Sequence, residues 1–167
     1  VGDDPRIQVL CAPDMVLHSA AHLFHEGDLE LGLRGLVDLD ALLREFAADP
    51  GFWPELLARA RALQLEWPLH QALRYAGMLL HSVVPAHVTE ALQHSPGVHI
   101  STWRQRLMDA LFLRALRPAH ASASDAWTPA ARFLLYLRGH WLRMPPAMLV
   151  WHLLHKLVRP VQADPQK

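Results

Sequence analysis

The chain has 167 residues, 51% of them apolar, which is enough for one domain with a sizeable buried core. Formal charge is zero overall, but residues 1–100 carry six Lys and Arg against thirteen Asp and Glu, while residues 101–167 carry ten against three. The single cysteine, Cys11, excludes a disulfide framework and fits a reducing cytoplasm, and no basic-then-apolar leader opens the chain.

Leu, Ala and Arg recur while Val, Ile and Thr are scarce, a bias toward helix because unbranched side chains lose little rotamer freedom there. Residues 1–12 read as a short extended lead-in. Pro13 and Asp14 then look like a helix start, with the Asp14 carboxylate placed to cap free amides. That helix runs to about Glu26 and stops at Gly27, a residue suited to a left-handed C-terminus. Asp28 begins the next, to about Ala48, with Leu36, Leu39, Leu42, Leu43 and Phe46 as its apolar stripe. Gly32 and Gly35 give up helix propensity, and the return would be a close approach by a neighbouring helix. Pro54 and Pro68 sit in the first turns of a third and a fourth helix, the latter with Leu69, Leu73, Ala76 and Leu80 on one face. A short helix from Pro85 to Gln93 follows.

The segment His94 to His99, holding Pro96 and Gly97, coincides with the charge switch and marks the expected boundary. Residues 1–94 form an acidic helical region and residues 95–167 a basic helical extension packed on it as one domain. In that extension the expected helices are Thr102 to Leu116, Pro129 to Arg143 and Ala147 to Val158, with Ala119 to Ser124 as a small-residue linker. Met144 to His155 carries no Lys, Arg, Asp or Glu, but a membrane span needs about 20 apolar residues. The fold class is therefore all-α, an irregular bundle of about seven to eight helices. The six tryptophans fall near helix starts or in apolar stripes, which reads as core and lid packing.

Asp14, His18, His22 and His25 lie within about 40° of His18 on a helical wheel, one polar stripe. Histidines four apart can reach one metal ion, and Asp38 or Asp40 could add a carboxylate from the second helix. His18, His22, His25 and Asp38 are therefore a candidate polar or metal site. The plain alternative is a seam of histidines bonded to carboxylates or carbonyls; the chain has no HExxH and no His-Asp dipeptide. Asp38-Leu39-Asp40 has the spacing of a metal-binding carboxylate pair. On a helix, however, residues two apart diverge by about 200° and cannot easily share an ion, and Arg34 stands one turn before Asp38 as an ion-pair partner. Arg74 and His81 have the Arg-x6-His spacing of a class of helical ribonucleases, a pattern that arises readily by chance. Arg104, Arg106 and Arg114 in the basic half are candidate polyanion contacts, for nucleic acid in particular. The alternative is mutual attraction of the two oppositely charged halves.

The order of motifs says more than any one of them. Val9-Leu10-Cys11-Ala12-Pro13-Asp14-Met15-Val16-Leu17-His18, then Ala21-His22, Leu36-Val37-Asp38-Leu39 and Leu42-Leu43, resembles an uncharacterised nucleotidyltransferase family related to minimal nucleotidyltransferases. Phe52-Trp53-Pro54-Glu55-Leu56, Ala58-Arg59-Ala60, Ala72-Leu73-Arg74-Tyr75-Ala76 and Val84-Pro85 continue the likeness, over about residues 7–92. The resemblance implies the helical C-terminal portion of a protein whose catalytic domain, with a Gly-Ser turn and metal-binding carboxylates, comes earlier. It implies Mg²⁺ and a nucleoside triphosphate for that intact protein, and matches His22 and Asp38 to the helical pattern. A chain that opens at Val1 without that module is expected to be a fragment. The alternatives are a non-catalytic module binding nucleic acid or protein, and a metal-dependent helical hydrolase.

Overall fold

A computed structural model of the chain describes residues 9–25, 29, 31–98, 101–118, 120, 122–143 and 148. Among the described residues there are seven α-helices, one 3-10 turn and no strand. They are α1 (Ala12–Phe24), α2 (Gly32–Phe46), α3 (Phe52–Ala62), α4 (Glu66–Leu80), α5 (Ala86–Gln93), α6 (Thr102–Ala115) and α7 (Thr128–Arg143), with the turn at Pro96–Val98 before α6. The expected lead-in, the Gly27 and Asp28 boundary and the helix Ala147 to Val158 lie wholly or mostly outside the described residues.

Helix α1 is the hub: it packs on α2, α3 and α4, and α6 pairs with α7. Its buried face is Val16, Leu17, Ala20, Leu23 and Phe24, at the three- and four-residue spacing that puts side chains on one side of a helix. Leu36, Leu39 and Leu43 of α2 close over it, while Leu42 and Phe46 pack at the margin. The glycines do what their spacing predicts. A Cβ on Gly35 would stand 2.8 Å from Leu23 Cδ2, so its absence lets α2 settle against α1. At Gly32 the same test meets Leu116 Cδ2 at 3.0 Å, just past the end of α6.

The proline signals hold at Pro13, Pro54 and Pro68, each within the first turn of its helix. Two helix ends use non-glycine residues in the left-handed region. Gln64 (φ 57°) follows α3 and His81 (φ 56°) ends α4. The chain reverses there through Leu65 N–H donating to Ala60 O and Ser82 N–H to Ala76 O.

One hydrophobic cluster runs through both charge regions. Phe24, Tyr75 and Phe112 meet with ring centroids 5.2–5.6 Å apart, joining α1, α4 and α6. Val98 is buried, and the Ser95 hydroxyl, also buried, donates to Glu66 of α4, so the segment at the charge switch is tied to α4. The tryptophans depart from expectation. Trp53 is buried, but Trp103, Trp127 and Trp141 are 63%, 70% and 59% exposed. The reason is that α6 and α7 bury a narrow face (Phe112, Ala115, Ala131 and Leu135), leaving their other apolar residues on the surface. Among the described residues no helix is long and apolar enough to cross a membrane.

Candidate functional site

The histidine stripe forms part of what its spacing foretells. His18 and His22 stand on the exposed side of α1 with rings nearly parallel, 9° between planes and centroids 6.5 Å apart. His25 follows the last turn. Asp14 leaves the stripe for a different partner. Arg59 of α3 donates from Nε to Asp14 Oδ1 at 2.9 Å and from Nη2 to Oδ2 at 2.6 Å, a bidentate pair that ties α3 to α1. The expected capping role of Asp14 is thus corrected: the cap position is Cys11, without a side-chain cap bond, and the carboxylate is directed at a guanidinium 45 residues away. The hydrogen bond from Arg59 holds the Asp14 carboxyl below the usual range.

Asp38 and Asp40 diverge as helical geometry requires. Asp38 is exposed, whereas Asp40 accepts from Arg44 Nε at 2.7 Å and from the Ser82 hydroxyl beyond α4. Among the described residues the intrahelical ion pair of α2 is therefore Asp40–Arg44, in place of the expected Arg34–Asp38 pair. Among the described residues no group of three or more His, Cys, Asp or Glu could hold a metal ion.

Among the described residues a dense polar arrangement lies between α4 and α6, of which the sequence pointed only to Arg74. Arg74 donates to both oxygens of Asp109, Nε to Oδ1 at 3.0 Å and Nη2 to Oδ2 at 2.7 Å. Tyr75 O–H (3.1 Å) and Gln105 Nε2 (2.9 Å) donate to the same Oδ1. Burial pushes the Asp109 carboxyl up, but the bonds from Arg74, Gln105 and Tyr75 outweigh it and hold the group below its ordinary value. Burial and the neighbouring Asp109 charge push the Tyr75 phenol well up, so it stays a neutral donor. Arg74 was legible only as half of an Arg-x6-His pattern. The structure commits its guanidinium to Asp109 and makes His81 the exposed left-handed end of α4.

Beside this network a cleft of about 290 Å³ opens between α4 and α5. Leu73, Val84 and Leu92 supply apolar wall, and His70, Arg74 and Thr89 supply polar groups. His70 is buried, with its Nδ1 3.3 Å from Gln71 Nε2. Burial first, then the positive charge of Arg74, lowers its pKa and keeps the ring neutral.

The three arginines chosen as polyanion contacts do not share one face. Arg104 and Arg106 are exposed, about 200° apart on α6. Arg114 donates to Ala110 O at 2.9 Å and lies 3.5 Å from Asp125, which also takes Arg117 at 2.9 Å.

The module is thus all-helical, with α1 to α4 gathered around α1 and a pair of basic helices laid against them. Residues 2–81 match the model of the family described as uncharacterised nucleotidyltransferase, a stretch that ends with α4. The chain is nucleotidyltransferase-like in sequence over just under half its length. No curated protein matches it, and no solved structure does.

Proposed function

We propose that this chain is the helical portion of a nucleotidyltransferase-like protein and packs on, or closes over, a catalytic domain encoded before it. The observation that carries this reading is the coincidence of two limits. The family match covers α1 to α4, and among the described residues within it the carboxylates two apart, Asp38 and Asp40, point two ways from a helix. Nucleotidyl transfer needs carboxylates that converge on a metal-bound triphosphate, which Asp38 and Asp40 do not, so in this reading that chemistry belongs to another domain. In the intact protein Mg²⁺ and a nucleoside triphosphate would be held by that other domain. His18, His22 and Asp38, each on the exposed side of its helix, are then where that domain would approach.

Reading the open reading frame upstream of Val1 tests the proposal. A Gly-Ser turn followed by an Asp-x-Asp pair on a strand supports it; an upstream sequence without them overturns it. A second measurement is transfer activity of the full-length product with Mg²⁺, which substitution of both Asp38 and His22 by Ala should reduce if that surface meets the catalytic domain.

A further inference from the structure

A second concavity, of about 260 Å³, is lined by Trp67, Trp103, Arg104, Leu107, Met108 and Arg138, from α4, α6 and α7. Two arginines and two tryptophans line it, and no acidic residue does. Arg138 lies over the Trp67 ring, its Cζ 4.0 Å from the centroid, and Arg104 lies 5.5 Å from the centroid of Trp103.

Neither cation is balanced. Among the described residues Arg104 and Arg138 have no carboxylate within ion-pair distance, while Arg44, Arg59, Arg74, Arg114 and Arg117 each have one. Arg138 is half-buried, and of its five N–H donors one reaches a protein acceptor, Nη1 to Phe24 O at 3.2 Å. A partly desolvated guanidinium without a counter-charge is costly, and an anion in the groove would relieve it. Leu107 and Trp103 are largely exposed, an apolar wall beside those charges.

We infer that this groove binds a planar ring carrying one anionic group, the ring against Trp103, Leu107 and Met108 and the anion held by Arg104 and Arg138. The volume sets the size. It falls just below the range of about 300–1,000 Å³ of drug-sized pockets, so it suits one ring system with one phosphate or carboxylate. The inference is independent of the nucleotidyl-transfer reading, because five of its six residues lie beyond the family match.

Calorimetric titration of the whole 167-residue chain tests it, with adenosine monophosphate and indole-3-acetate as probes for phosphate and carboxylate. Saturable binding of either supports the inference, and the tighter of the two identifies the anion. Adenosine, which has the ring and no anion, should bind at least about tenfold more weakly than its monophosphate. Arg104→Gln and Trp103→Ala change exposed residues, so folding is preserved, and each should weaken binding about five- to tenfold. Arg138 is left intact because it also bonds Phe24 O. Absence of saturation by both probes at millimolar concentration, equal binding of adenosine and its monophosphate, or parental affinity in both variants overturns the proposal. So does tight binding of a single-stranded oligonucleotide with a salt slope of many phosphates, which would mark a strand-tracking surface in place of a pocket. No transfer chemistry enters this titration, so its failure leaves the upstream-sequence test untouched.

Discussion

Replacing Asp109 by Ala removes one carboxylate and strands four donor groups on three side chains. The Tyr75 side chain is fully buried, so its hydroxyl would lose its acceptor in a place water does not reach, at a cost of about 1–3 kcal/mol. Loss of the charge-assisted bonds from Arg74 adds about 1.5–3 kcal/mol in a buried setting. Arg74 is 34% exposed, so water recovers much of that second part. The expected sum is about 3 kcal/mol, which for a chain of this length lowers the thermal midpoint by about 6–12 °C. Urea unfolding followed by circular dichroism measures it. Tyr75→Phe alone should cost about 1 kcal/mol, and the double variant should cost less than the sum of the two, because both act on one bond. Acid sensitivity follows with a definite sign. Asp109 has a lower pKa folded than unfolded, so its contribution is complete above about pH 4 and is lost as pH falls through the folded value. A midpoint for Asp109→Ala within about 2 °C of the parent, or strict additivity with Tyr75→Phe, would refute the view that this network locks α4 to α6.

His70 gives an acid effect at higher pH. Its pKa is lowered on folding, so the unfolded chain takes up the proton first, and stability should fall as pH drops below about 6.5. An NMR titration of the His70 ring should show a midpoint below that of an exposed histidine; a midpoint at or above about 6.5 contradicts the burial argument. Two glycine substitutions separate propensity from packing. A Cβ on Gly77 meets nothing closer than Ser82 O at 3.9 Å, so Gly77→Ala should stabilise α4 by about 0.5–1 kcal/mol in chemical denaturation. On Gly35 the same methyl meets Leu23 at 2.8 Å, so Gly35→Ala should show none of that gain; equal stabilisation by both would mean that α1 and α2 are not held at this distance.

What the sequence disclosed and what it hid divide along one physical line, the reach of the interaction in sequence. The apolar stripe of α2, the prolines opening α1, α3 and α4 and the small residues at the α1–α2 contact act within a turn or two, and the order of residues shows them directly. Partnerships across tens of residues left no local mark. Asp14 had the look of a cap until Arg59, 45 residues on, was seen to hold it. Arg74 had the look of half a motif until Asp109, 35 residues on, was placed beside it. The charge asymmetry does not foretell the buried ion pair, for the same reason. Net charges of opposite sign invite the idea that the halves attract, with acid from the first meeting base from the second. The buried contact runs the other way, since the acidic half supplies the cation, Arg74, and the basic half supplies the anion, Asp109. Using up Asp109 inside the contact leaves the exposed Arg104 of α6 and the half-buried Arg138 of α7 with no carboxylate among the described residues to neutralise them. The positive surface is therefore a consequence of how the halves are joined, and the groove between Trp67 and Trp103 is where that unspent charge meets apolar wall.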